Sequence, residues 1–175
     1  TATLLGHTGP ATATEAELTT IIDDHWQWML AKYPERRLEY GDRSGNDQWT
    51  DMSPGAFQRR YEDEGRFVQR LEQIEPATLS ADAQVNRAML LRQLRDNLTE
   101  YEDGLYLIAL DMRSGPQHRH SMIDTLPMDS AQDHEDWLNR LRGLPEQLAQ
   151  YQALLSEGIS RDRTQAQIVM SRVPS

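Results

Sequence analysis

From Thr14 onward the chain sets apolar residues at helical intervals. Leu18, Ile21, Ile22, His25, Trp26 and Met29 recur three to four residues apart, as on a helix with one apolar stripe. Thr14 and Glu17 stand at capping-box spacing, which predicts the helix start. Its end is expected ahead of Pro34, because proline disfavours helical backbone in the residue before it. Ser53-Pro54 predicts a second start, with serine as cap and proline at the first helical position. Phe57, Tyr61, Val68, Leu71 and Ile74 give that helix its apolar face. Glu62, Asp63, Arg66 and Arg70 give it a wet one, and Pro76 marks its end. Ser80 caps a third helix with Asp82 in its first turn. Val85, Met89, Leu91, Leu94, Leu98, Tyr101, Leu105 and Ile108 carry the pattern to Leu110. A helix over 80–110 would be about 45 Å long, with Gly104 the point where it could bend or divide.

Gly115-Pro116 breaks the pattern, and 117–129 reads as a short helix between turns. Ser130 caps a helix carrying Trp137, Leu138, Leu141 and Leu144. Pro145 suits the first turn of a further helix through Leu148, Tyr151 and Leu155, with Gly158 as the residue just past its end. The segment 163–172 is weakly helical. No run alternates at period two with the β-branched enrichment of a strand. The expected fold class is therefore all-α, an array of about five to six helices with one long helix near 80–110. Residues 34–52 form a connector rich in Gly, Asp, Asn and Arg. A loop of that length without its own structure is uncommon and often functional.

Charge narrows the range of partners. The 175 residues carry 18 basic and 28 acidic side chains, a net charge of −10. A nucleic-acid binder needs a cationic footprint, and the local pairs Arg36-Arg37 and Arg59-Arg60 do not reverse the field. Mean hydropathy is −0.73, so a core must come from amphipathic elements. The longest apolar stretch, Leu105 to Leu110, is too short to span a bilayer. With no cysteine, disulfides, thiolate metal sites and a cysteine nucleophile are excluded. Residues 1–13 are small and polar, without the apolar core of a signal peptide. They read either as a disordered lead or as what processing leaves, ahead of a helical unit over 14–175.

Candidate chemistry is sparse. HExxH, GxSxG, a Walker loop and a dinucleotide fingerprint are all absent from the sequence. His118, His120 and His134 lack the convergent spacing of zinc ligands and read as surface or capping residues. His25, between Ile22 and Trp26, reads as a core or interface histidine. The carboxylates fall mostly on wet helix faces, and spacing does not pair any two as acid and base. Three residues stand out as possible substrate or partner contacts. Trp28 is off the main stripe of its helix, and would cover a loop or face a neighbouring element. Trp49 lies within the connector near Asp51, and an aromatic residue there must pack back or meet a partner.

The order of these signals resembles a known family. His25-Trp26-Gln27-Trp28 leads to Pro34, then Tyr40-Gly41-Asp42, then Trp49-Thr50-Asp51-Met52-Ser53. Asp133-His134-Glu135-Asp136-Trp137-Leu138-Asn139-Arg140-Leu141 follows with Pro145, and Leu154-Leu155-Ser156-Glu157-Gly158-Ile159 closes the series. Over residues 15–172 this resembles the N-terminal part of the domain-of-unknown-function 885 family, large helical proteins similar to zinc peptidases. The family's Gly–Pro signal after Glu-Gly-Ile is replaced here by Ser160-Arg161-Asp162-Arg163. The resemblance implies a zinc motif of HExxPGHH type in a C-terminal half, with no counterpart in this sequence. Zinc is expected only where such a half is present. The resemblance further implies a channel-wall, substrate-access role with no catalysis by this chain alone. It implies a C-terminal half, a second chain or self-association as partner, a peptide-like substrate, and export to the periplasm or outside the cell. A cytoplasmic site stays open. The competing reading is a stand-alone helical binding module that uses the 34–52 loop. A partnered fragment should expose an apolar face on the 80–110 helix; a stand-alone module should bury it.

Overall fold

A computed structural model describes residues 13–111, 115–117 and 126–172. Among these residues five α-helices run in chain order: α1 (Ala13–Lys32), α2 (Pro54–Glu72), α3 (Ala81–Glu102), α4 (Ala131–Ser160) and α5 (Gln167–Met170). Short 3-10 helices occupy Pro34–Tyr40, Pro76–Thr78 and Leu105–Leu107. No strand occurs among the described residues, and no helix there is long and apolar enough to cross a membrane.

Helices α1, α2 and α3 form a three-helix unit around one apolar core. Leu18 and Ile21 of α1, Phe67, Val68 and Leu71 of α2, and Leu91 and Leu94 of α3 meet there, with Ile74 and Leu79 from the turn between α2 and α3. Burying one such side chain contributes about 1.5–3 kcal/mol. The helix starts read from serine hold, because a hydroxyl satisfies an amide that has no helical partner. Ser53 accepts from the Ala56 amide, and Ser80 from the Ala83 amide. Ser130 and Asp133 form a reciprocal capping box at the start of α4.

Four expectations need correction. Helix α1 already includes Ala13, so Thr14 lies within it and is not its cap. Glu15, rather than Glu17, makes a long-range contact there, accepting from the Ser80 amide at 2.7 Å. The long 80–110 helix is divided: α3 stops at Glu102, and Gly104 takes a left-handed φ of 73° that residues with a Cβ rarely adopt. The longest helix is instead α4, with 30 residues. It runs through Pro145, which the sequence suggested as a new start. Pro145 and Leu141 are both on the exposed side, where water can satisfy the carbonyl that a missing N–H leaves unmatched. Gly158 also lies inside α4 and does not terminate it. A Cβ there would stand 2.7 Å from the Arg163 carbonyl oxygen and 3.0 Å from that of Leu107. The glycine lets α4 close against the chain on either side, while Asp162, at φ 54°, turns the backbone after Ser160.

Helix α4 is packed in an unusual sense. Its buried residues include Asp133, Arg140, Gln147 and Tyr151 alongside Leu154 and Gly158, while Leu138, Leu141 and Leu148 face outward. The polar side lies on the 34–52 connector, which is folded and not a bare loop. Glu35 accepts from both the amide and the hydroxyl of Thr50. Arg37 donates to the Leu30 carbonyl at 3.0 Å and to Asp42 at 2.7 Å. Arg43 reaches Asp133 at 3.0 Å, Arg140 reaches the Gly45 carbonyl at 2.6 Å, and Gln147 reaches that of Thr50. Helix α4 therefore rests on the Arg43 guanidinium, the carbonyls of Gly45 and Thr50 and the Met52 amide, which demand polar partners.

Candidate functional site

A cleft of about 250 Å³ opens between α1, α2 and α3. Half of its lining is aromatic, and Gln93, Asn97 and Glu100 of α3 add polar groups. Phe57 and Tyr61, one turn apart on α2, meet Tyr106 and Tyr101 from the end of α3 and the turn beyond it. Tyr61 stacks on Tyr101 with ring centres 4.6 Å apart, Tyr101 on Tyr106 at 4.8 Å, and Tyr106 contacts Phe57 at 5.0 Å. Tyr61 donates to Glu102 at 2.7 Å, a bond that holds its hydroxyl above the usual tyrosine range. The opposite wall is Trp28, whose indole N–H donates to Asp63 at 2.8 Å and whose ring contacts His25 and Phe67. Burial pushes His25 down, towards its neutral form.

Two charged side chains of α2 enter this aromatic setting. Arg60 is only 5% exposed. Its Nη1 donates to the Asp51 carbonyl at 2.8 Å, while Nη2 has no hydrogen-bond partner. Its guanidinium lies 4.2 Å from the centre of the Phe57 ring and 5.4 Å from that of Tyr33, within range of cation–π attraction. No carboxylate stands within ion-pair distance of Arg60 among the described residues. Glu64, the next turn of the same stripe, is also buried and accepts from Asn97 at 2.9 Å. Burial raises its carboxyl above the ordinary value of 4.5, against the opposing pull of Asn97 and Arg60.

The sign of that shift gives a prediction. Folded Glu64 binds its proton more tightly than the unfolded chain does. Its contribution favours the folded state below pH 4.5 and is lost as pH rises through the folded value. Glu64→Gln keeps an acceptor for Asn97 and removes the charge. The variant is expected to raise Tm by about 2–4 °C at pH 8 and to leave it unchanged at pH 4. Equal shifts in thermal melts at the two pH values would contradict the buried-carboxylate account.

The three residues singled out from the sequence do not converge on one site. Trp28 lines the aromatic cleft. Trp49 packs back: its indole donates to the Arg140 carbonyl at 2.6 Å, with the Arg140 guanidinium 5.1 Å from its ring centre. Asp51 is exposed, accepting from the Ser53 amide at 2.9 Å and from Arg59 at 3.2 Å. Trp49 and Asp51 instead share two depressions, of about 180 and 340 Å³, outside the aromatic cleft. Arg60 borders both the cleft and one of these depressions. Arg60 and Glu64 were not singled out from the sequence. The available signal was their place on α2, in the stripe Ala56, Arg60, Glu64, Phe67, Leu71.

Among the described residues no three His, Asp or Glu side chains come together to hold a metal ion. His118 and His120, and the short helix expected over 117–129, lie largely outside the described residues. So do residues 1–12 of the expected lead. His134 Nδ1 donates to the Ser130 carbonyl, 2.8 Å away, in the first turn of α4.

Residues 34–175 match the family described as "Bacterial protein of unknown function (DUF885)". The chain belongs to this family. No curated protein matches it. The DUF885 match starts at Pro34, whereas the resemblance read from the sequence began at residue 15. Helix α1, with His25 and Trp28, therefore precedes the DUF885 stretch and supplies one wall of the cleft. The connector, the aromatic residues of α2 and α3, and all of α4 fall within it.

Proposed function

We propose that this DUF885 chain is the front, substrate-admitting part of a metallopeptidase-like hydrolase and is inactive alone. Its chemistry would reside in a C-terminal half carrying an HExxH-type zinc motif. There a metal-polarised water and a glutamate base would cleave a peptide-like substrate. The observation that carries this reading is the outward side of α4. Leu138, Leu141, Pro145 and Leu148 follow the alternating three- and four-residue spacing of a helix seam, and after Gln152 the seam resumes at Leu155 and Ile159. Leu138, Leu141 and Leu148 are 45%, 40% and 44% exposed. A 30-residue helix that buries its polar side and displays leucines suits a second apolar helix laid along it. On the 80–110 segment, Val85, Met89 and Leu105 are exposed as well.

The test is assembly with a separately produced HExxH-bearing segment of the same family. A complex is expected, and Leu138→Ser, Leu141→Ser and Leu148→Ser together should weaken it about a hundredfold. Circular dichroism of the free triple variant should match that of the parent chain. Binding that ignores the three substitutions would overturn α4 as the docking face. A parent chain that forms no complex would favour the stand-alone binding module.

A further inference from the structure

Arg60 is the strongest unexplained group in the described residues. A buried guanidinium ordinarily finds a carboxylate, because desolvating a cation without compensation is costly. Here the compensation is partial: one backbone carbonyl, two aromatic ring faces, and attraction from the Asp51 and Glu64 carboxylates beyond ion-pair distance. Nη2 is left without an acceptor, and Arg60 borders the cleft. Arg36 and Glu100 also border it, one of each sign, so they cancel at first order. Burial biases the nearby Glu64 towards its neutral form, which lessens its opposition to an anion.

We propose that the cleft binds a carboxylate attached to an aromatic or large apolar group, such as the C-terminal residue of a peptide, with Arg60 as the anion-binding side chain. The planar fork of arginine is suited to a carboxylate. The tyrosine stack offers ring faces and edges at which an aromatic side chain can pack. The cleft volume of about 250 Å³ limits the occupant to about one residue. This deepens the substrate-admitting role by naming the group recognised. Its test uses this chain alone, so failure here would leave the assembly experiment untouched.

The probe is N-acetyl-L-phenylalanine, with N-acetyl-L-phenylalaninamide as its uncharged twin, each titrated into the chain and followed by tryptophan fluorescence and calorimetry. The acid should bind saturably and at least about tenfold more tightly than the amide. Arg60→Met should remove that preference; Arg59→Met, at an exposed neighbour, should keep it. The acid–amide comparison is made on the parent chain and so does not depend on the Arg60 variant folding. Acid and amide of equal affinity would overturn the proposal, as would no binding of the acid at millimolar concentration.

Discussion

Arg140→Ala is expected to lower the unfolding free energy by about 3–5 kcal/mol. Arg140 is completely buried. Its guanidinium donates to the Gly45 carbonyl at 2.6 Å and lies against the Trp49 ring, while its own carbonyl accepts the Trp49 indole proton. Truncation leaves a cavity the size of the arginine stem and strips a buried carbonyl of its donor. The Trp49 bond to the backbone carbonyl is retained, so the loss is not total. Urea unfolding should show the lowered midpoint. Hydrogen exchange should show the 43–50 amides opening before those of α2 and α3. Arg140→Met, which refills most of the stem, should recover part of the stability. A change below about 1 kcal/mol for Arg140→Ala would mean that the connector does not depend on α4.

Leu94→Ala should cost about 3–4 kcal/mol for a different reason. Leu94 has no exposed surface, and it sits among Ile21, Leu71 and Leu91 at the junction of α1, α2 and α3. There the loss is apolar contact plus residual cavity, with no hydrogen bond involved. Met89, on the same helix, is 66% exposed. Met89→Ala should fall within about 0.5 kcal/mol of the parent chain. Chemical denaturation of the two variants separates the buried from the exposed side of α3. Similar costs would contradict the assignment of Leu94 to the core.

Legibility in the sequence followed the range of the interactions. The starts of α2, α3 and α4 were readable because Ser53, Ser80 and Ser130 act within three residues of themselves. The all-α class was readable because a 3.6-residue period needs no knowledge of neighbours. Interruptions were harder. A proline inside a helix depends on whether its unmatched carbonyl meets water, and Pro145 lies on an exposed face. Gly104 divides the expected 80–110 helix because the chain turns there, and the apolar pattern continues across it into Leu105 and Leu107.

The inverted packing of α4 was hidden for a related reason. Arg140 and Gln147 meet backbone groups more than 90 residues away in sequence, at Gly45 and Thr50. An arginine on a helix ordinarily reads as solvated, and only a folded connector gives it a reason to be inside. The cleft was half legible. Trp28 stood out by being off its stripe, and it does form a wall. Arg60 and Glu64 stood on the apolar stripe of α2, and their spacing from Phe67 and Leu71 marks them as inward-facing. Tyr101 and Tyr106 could not be joined to Tyr61 by periodicity, because Tyr61 stands on another helix and a left-handed glycine separates Tyr101 from Tyr106.

The central claim is that this chain completes a metallopeptidase-like hydrolase without supplying its chemistry. The most direct measurement is zinc content and peptide hydrolysis for the chain alone, for an HExxH-bearing family segment alone, and for the two assembled. The account predicts stoichiometric zinc in the segment and in the assembly, none in this chain, and hydrolysis that rises on assembly. Stoichiometric zinc or peptide hydrolysis by this chain alone would contradict it, and so would an assembly whose activity is no greater than that of the segment by itself.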